Sequence, residues 1–382
     1  MKKLFISGTF WAVPVLLMAA NFAGLGGTAP ASISGDYKLL SPITHGDLTI
    51  FPVVSSKTHD TSGFISLDEG IRSGDVVVTE VGNLHGAMRR RPGQQFQPRN
   101  AQVNNLVLVN NSKLPLILLA GEVVTGGKQD RVVGKDRIIP AESDPVDLAV
   151  FCVEPGRWIE RSAKFDTHAS VMAQPSVRKK AMADADQQKV WDEVNGNKAK
   201  IISRLATEPT VSGGGGGGVG PSSGREPSAV RELASTTSYA TVVANSAVKR
   251  QVDSITGPMQ KSYESVIKQL RNQNAVGVVV AIRGHIVWAD IFASSELLNK
   301  YWPKLLQSYA AEALTSTDRK DEVSMKDAQR FLEDWQAKHE TVDSEPGLYR
   351  QRELVGDRFR AFELTSLLPA KGFDVHLSKM AD

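Results

Sequence analysis

Five short apolar runs constrain the fold most: LTIFPVV from Leu48, DVVVTEV from Asp75, LVLVNN from Leu106, LPLILLA from Leu114 and VDLAVFCV from Val146. Their lengths suit strands rather than helices, and most are rich in valine and isoleucine, which pack well on a pleated surface. We therefore expect a β-rich N-terminal lobe over residues 36–172. Asn110-Asn111-Ser112-Lys113 has the composition of a hairpin turn, and Val133-Gly134-Lys135-Asp136 offers a second. Ser66-Leu67-Asp68-Glu69 is a capping box that opens one short helix, closed by Gly74. Residues 83–102, with Arg89-Arg90-Arg91 and Arg99, read as a polar surface loop.

Beyond this lobe the period changes. Trp191, Val194, Lys198, Ile201 and Leu205 recur at helical spacing, so an amphipathic helix is expected over 173–206. A Gly/Ser/Pro-rich stretch, 207–228, has too little apolar surface to offset its ordering entropy and is expected to be a disordered linker. A second lobe, 246–380, mixes helices and hairpins. It begins with a helical pattern that Gly257-Pro258 is expected to kink or divide, then AVGVVVAI and IVWADIFA joined at Arg283-Gly284-His285. Two more helices are signalled from Glu296 and Ser324. GLYRQREL and RFRAFEL form a final hairpin whose arginines and glutamates are expected to face solvent. The whole is an α+β architecture.

Composition excludes several classes. A chain of 382 residues with 41% hydrophobic residues can bury a sizeable core, and a net charge of +3 names neither nucleic acid nor a charged surface as partner. The single cysteine, Cys152, excludes an intrachain disulfide and a thiolate zinc cage, and its apolar neighbours place it inside a strand. Lys2 and Lys3, the apolar run from Leu4 and Ala29-Pro30-Ala31 read as a signal peptide over residues 1–31, so the protein is expected to be exported to the periplasm or outside. An uncut N-terminal segment would be its only membrane contact. The seven histidines are scattered, and no metal site or cofactor is expected.

Two clusters carry candidate chemistry. In LLAGEVVTGGKQDR, Glu122 ends an apolar strand and needs a partner such as Lys128 or Arg131. Gly126-Gly127 offers backbone N–H groups to an anion beside Lys128, Gln129 and Arg131. The pattern is no P-loop, because Glu122 and Gln129 stand where glycine and serine or threonine belong, and a solvated hairpin tip is the alternative. In FCVEPGRW, Glu154, Arg157 and Trp158 combine a carboxylate, a bidentate donor and a stacking ring. Here the alternative is an internal Glu–Arg pair under a tryptophan.

These segments, with FISLDEGIRSGDVVVTEVG before them and VVVAIRGHIVWADIFASSELLNKYWPKLLQSYAAEAL after, resemble the ARPP-1 domain, associated with ADP-ribosylglycohydrolase and rhodanese-phosphatase proteins, over roughly Leu39 to Leu314. The resemblance implies no particular reaction. The leading expectation is a small anionic or nucleotide-like ligand held between the two turns, with Lys128 and Arg131 pairing its negative groups and Trp158 stacking. A hydrolase of a phosphate or ADP-ribose ester using Glu122 or Glu154 is the second reading. An envelope module that docks a protein partner near Trp288 or Trp302 is the third.

Overall fold

The computed structural model describes residues 36–86, 105–157, 159–167, 171–207 and 228–382. The expectations for residues 1–31, Arg89–Arg91, Arg99, Trp158, His168 and 208–227 lie outside the described residues. The fold is α+β with a β-rich N-terminal region.

The largest sheet has nine antiparallel strands and is built from both ends of the chain. Its order is Lys38–Leu39, Leu48–Ser55, Asn274–Ile282, His285–Phe292, Asp374–Ala381, Phe359–Ser366, Tyr349–Val355 and His339–Glu345, with Ile43–His45 also on Leu48–Ser55. The decisive pairing is Leu48–Ser55 against Asn274–Ile282, with Leu48 opposite Ile282 and Val54 opposite Ala275. Both strands are buried almost throughout, which is why they read as continuous apolar runs without alternation. The expected hairpin at Arg283-Gly284 forms, both residues adopting positive φ (52° and 86°), as a two-residue primed turn requires.

Two smaller sheets hold the middle of the N-terminal region. One runs Lys164–Phe165, Val76–Glu80, Asn105–Asn110, Val146–Cys152, Arg131–Val133 and Val123–Val124. The other runs Arg137–Ile139, Leu116–Leu118 and Ile65–Ser66. Residues 110–113 and 133–136 therefore turn the chain, but not as hairpins, because each carries it from one sheet to another. Asn110 makes the first corner: its side-chain amide donates to Leu114 O and Pro140 O, and its carbonyl accepts from Ser112. The capping box at Ser66 forms as expected, with Gly74 left-handed at the helix end.

Helix Ser295–Thr315 is buried on nearly every face and lies between the nine-stranded sheet and helix Ser246–Ile267. A helix so enclosed must satisfy its few polar side chains internally, and Lys304 and Glu312 prove central below. Helix Ser246–Ile267 runs unbroken through Pro258 rather than dividing there. The helix expected over 173–206 does break: Pro175–Lys179 passes into a π-turn at Lys180–Asp184, Ala185 takes a left-handed φ of 48°, and Gln187–Thr207 starts afresh. Asp186 accepts from Lys189 N and caps the new start. In the last hairpin Arg352 and Glu363 turn inward rather than to solvent, joined by bonds of 3.0 and 2.8 Å. Arg352 and Glu363 stand opposite each other in the register, and the fork-to-carboxylate match makes their burial tolerable.

Candidate functional site

The two sequence clusters meet because of strand register. Val124 pairs with Arg131, so residues 125–130 form the loop of a hairpin. Cys152 pairs with Arg131 across the next strand, which sets residues 153–157 beside that loop. Val153 N donates to Asp130 O at 3.0 Å and closes the junction.

Inside the junction the glycine turn is occupied by the protein's own acceptors. Gly126 N donates to Asp130 Oδ1 (3.1 Å), Gly127 N to Ser162 O (3.2 Å) and Lys128 N to Glu80 Oε1 (2.9 Å). The backbone donors expected to cradle an anion thus hold the carboxylates of Asp130 and Glu80. Gly127 is obligatory, since its φ is 48° and a Cβ would lie 2.4 Å from the Phe165 ring. Arg157 locks the turn from the other side, donating to Gly127 O (2.8 Å), Gly126 O (3.2 Å) and Ile159 O (2.9 Å), and pairing with Glu154 (2.6 Å) and Asp130 (3.4 Å). Glu154 is buried, also accepts from Asp130 N and meets Arg161 at 3.5 Å. Asp130 reaches further still, taking the Ser238 hydroxyl that caps helix Tyr239–Ala244 (2.7 Å), and burial pushes its pKa up.

Two charged side chains of the junction face outward: Lys128, 54% exposed and 3.9 Å from Glu80, and Arg161, 57% exposed. Gln129 is different. It is fully buried, and neither Oε1 nor Nε2 of its carboxamide has a partner among the described residues. Arg157 Nε is likewise buried and unbonded. Arg131 is buried with Nη1 on Gln129 O at 2.6 Å, so it faces the loop's backbone and not solvent.

Glu122 belongs to another assembly, and its partner is neither Lys128 nor Arg131. Its Oε1 accepts from Lys304 at 2.5 Å, Lys304 also meets Asp68 at 2.7 Å, and Leu119 N donates to Glu122 Oε2 at 2.8 Å. Burial pushes the Glu122 pKa up. Burial alone would lower Lys304, but Glu122 and then Asp68 outweigh it and keep the ammonium above its ordinary value. The preceding Gly121, at φ 95°, sits where a Cβ would lie 2.6 Å from Arg178 Cγ, so the glycine lets Arg178 pass.

Arg178 opens a buried chain of charges that the sequence did not announce. Its two Nη atoms grip Asp290 at 2.9 and 3.1 Å, and its guanidinium lies 4.4 Å from the Trp288 ring centre. Tyr309 also donates to Asp290. His376 Nε2 meets Asp290 at 3.1 Å, His376 Nδ1 meets Asp136 at 2.7 Å, and Asp136 accepts from Ala120 N. Arg178 and Asp290 hold no exposed surface, and neither do the side chains of Asp136 and His376; with Tyr309 the chain joins five segments of the fold. Cys152 is buried, and burial raises its thiol pKa. Trp288 and Trp302 are buried too, so neither marks an exposed apolar patch. Among the described residues no three His, Cys, Asp or Glu side chains are placed to hold a metal ion, and no helix is long and apolar enough to cross a membrane.

The family model for the ARG and Rhodanese-Phosphatase-superfamily-associated Protein domain, ARPP-1, matches residues 36–380. The chain belongs to the ARPP-1 family. The match extends past the segments that carry the resemblance and takes in the last strands, where His376 lies. No curated protein and no solved structure matches the chain. In this ARPP-1 domain the glycine-rich segments thus serve two junctions: Gly121 admits Arg178 to the core, and Gly126-Gly127 wraps Glu80, Asp130 and Arg157.

Proposed function

We propose that this ARPP-1 protein is an exported binding module for a small nucleotide-like anion, which it takes at the junction of the 126–131 and 154–157 turns. The observation that carries the reading is the Gln129 carboxamide, fully buried with both polar atoms unpaired among the described residues. Leaving such a group unmet costs about 1–3 kcal/mol, so a ligand or water that pairs it recovers that energy. A carboxamide offers a donor and an acceptor side by side, the match for a nucleobase edge or an amide. Lys128 and Arg161 are the exposed cations for the ligand's negative groups. Entry requires the exposed Lys128 end of the turn to swing aside and uncover Gln129. Export is read from the N-terminal sequence alone.

Turnover at Glu122 or Glu154 is not favoured by the geometry. The first is sealed in with Lys304 and Asp68, the second is held by Arg157, and they belong to separate assemblies. The test is a thermal-shift screen of the purified protein against nucleotides, ADP-ribose, sugar phosphates and inorganic pyrophosphate. A ligand at a hundred times its Kd adds about 2.7 kcal/mol to folded-state stability. A nucleotide-dependent rise that Gln129→Leu abolishes and Lys128→Ala weakens supports the reading. A rise unchanged by Gln129→Leu, or a cooperative melt that no compound moves, refutes it.

A further inference from the structure

We propose a second binding site, for a zwitterionic amino acid, in the cavity between the start of helix Pro175–Lys179, helix Ser295–Thr315 and strand His285–Phe292. The cavity measures about 590 Å³ and is lined by Ser176, Lys179, Trp288, Glu312 and Arg319 among others. That volume lies within the range of small-molecule pockets.

Glu312 identifies the ligand's positive end. Its Oε2 accepts three hydrogen bonds, from Ser176 Oγ (2.8 Å), Ser176 N (3.0 Å) and Gln174 Nε2 (3.0 Å), while Oε1 receives none among the described residues. The carboxylates of Asp290, Glu122, Glu154 and Glu363 each face a lysine or arginine of this chain. Glu312 has no ion pair with a lysine or arginine among the described residues, and burial pushes its pKa up, with Glu193 adding like-charge repulsion. A half-buried carboxylate on the cavity wall with one oxygen fixed and the other unfilled offers an acceptor to a cationic donor, and an ammonium group is the smallest that fits.

Two features identify the other end. Arg319 lines the cavity, is exposed, and its guanidinium makes no hydrogen bond or ion pair among the described residues. Trp288, which also lines the cavity, has a buried Nε1–H without a partner among the described residues. Both groups are donors and want an acceptor, as a carboxylate supplies. Lys179 is not available for that role, because it is held by Ala381 O and Asp382 Oδ1. Ammonium at Glu312 with carboxylate toward Arg319 and Trp288 describes an amino acid, and a simple amine or simple carboxylate satisfies one end only.

The experiment titrates the purified protein with the twenty L-amino acids, and with ethylamine and acetate as single-ended probes, reading melting temperature and then calorimetric affinity. At least one amino acid is expected to bind about tenfold more tightly than either probe, one charge-assisted contact being worth that much. Glu312→Gln keeps an oxygen for the three donors and so keeps the melt of the free protein, but it loses about tenfold or more in affinity. Arg319→Ala, at an exposed side chain with no internal bond, folds in any case and erases the preference over ethylamine. The assignment is overturned if no amino acid shifts the melt, if ethylamine binds as well as every amino acid, or if both variants bind like the parent. Gln129→Leu is expected to leave this binding unchanged, which separates the two sites.

Discussion

The buried imidazole of His376 makes a pH-dependent prediction whose size follows from the structure. Both ring nitrogens face carboxylate oxygens, Nδ1 at 2.7 Å from Asp136 and Nε2 at 3.1 Å from Asp290. A neutral imidazole carries one N–H and so leaves one nitrogen lone pair against an oxygen lone pair; only the imidazolium satisfies both contacts. Burial alone would lower the His376 pKa, but Asp136 and then Asp290 outweigh it and raise it from 6.5 to about 9. A raised folded-state pKa contributes stability that is fully present below pH 6.5 and lost as the pH climbs to about 9. At about 1.36 kcal/mol per unit the whole contribution is about 3 kcal/mol. Lys379 acts in the opposite sense: burial lowers its pKa from 10.5 to about 8, so the folded state regains stability between pH 8 and 10.5. Between pH 6.5 and 8, below the Lys379 range, the histidine contributes an expected loss of about 2 kcal/mol, which the difference between the parent and His376→Gln isolates from the raised carboxyls. Urea unfolding at intervals across that window measures the loss, and ¹⁵N shifts of the imidazole report the protonation state directly. A flat stability profile from pH 6.5 to 8, or a neutral His376 tautomer at pH 7.5, refutes the argument. His376→Gln should remove the slope while lowering stability at pH 6.

Two further perturbations address the other junctions. Gly121→Ala forces a Cβ into a φ of 95° and to within 2.6–2.8 Å of Arg178, so chemical unfolding should show a loss of about 3 kcal/mol or more, whereas Gly196→Ala, in an exposed part of its helix with nothing near its Cβ, should be neutral or stabilising. Lys304→Met strips the shared ammonium from Glu122 and Asp68 and should cost about 3–5 kcal/mol by the same measurement, with most of the loss recovered when Glu122→Gln is added.

Much of the element order was legible because it depends on local rules. The five apolar runs are strands, Ser66 and Ser324 cap helices, and Arg283-Gly284 turns a hairpin, each decided by residues within a few positions. What escaped were relations across the chain. Nothing near Glu122 reveals that its partner is Lys304, 182 positions away, on a helix buried all round. Residues 374–381 alternate Val375, Leu377 and Lys379 with His376, Ser378 and Met380, and both faces are buried, so a polar side chain there gives no hint of its side. Of the candidate site, the meeting of the two turns was readable from their motifs. That Glu80 fills the cradle was not, because it reaches the turn from the end of a distant strand. The π-turn at Lys180–Asp184 left one local trace, Asp186 as a cap, which helical spacing alone overrode.

The pairing of Leu48–Ser55 with Asn274–Ile282 also bears on how the chain must be made. Asp47 and its partner Arg283 are 236 residues apart, and at synthesis rates of about 5–20 residues per second the early strand emerges on the order of 10–50 s before its neighbour exists. Throughout that interval eight residues that end up wholly covered, LTIFPVVS, have only the short strands Lys38–Leu39 and Ile43–His45 beside them and lack their long neighbour. The order of synthesis thus leaves the heart of the largest sheet as the part of the newborn chain most in need of shielding from other chains.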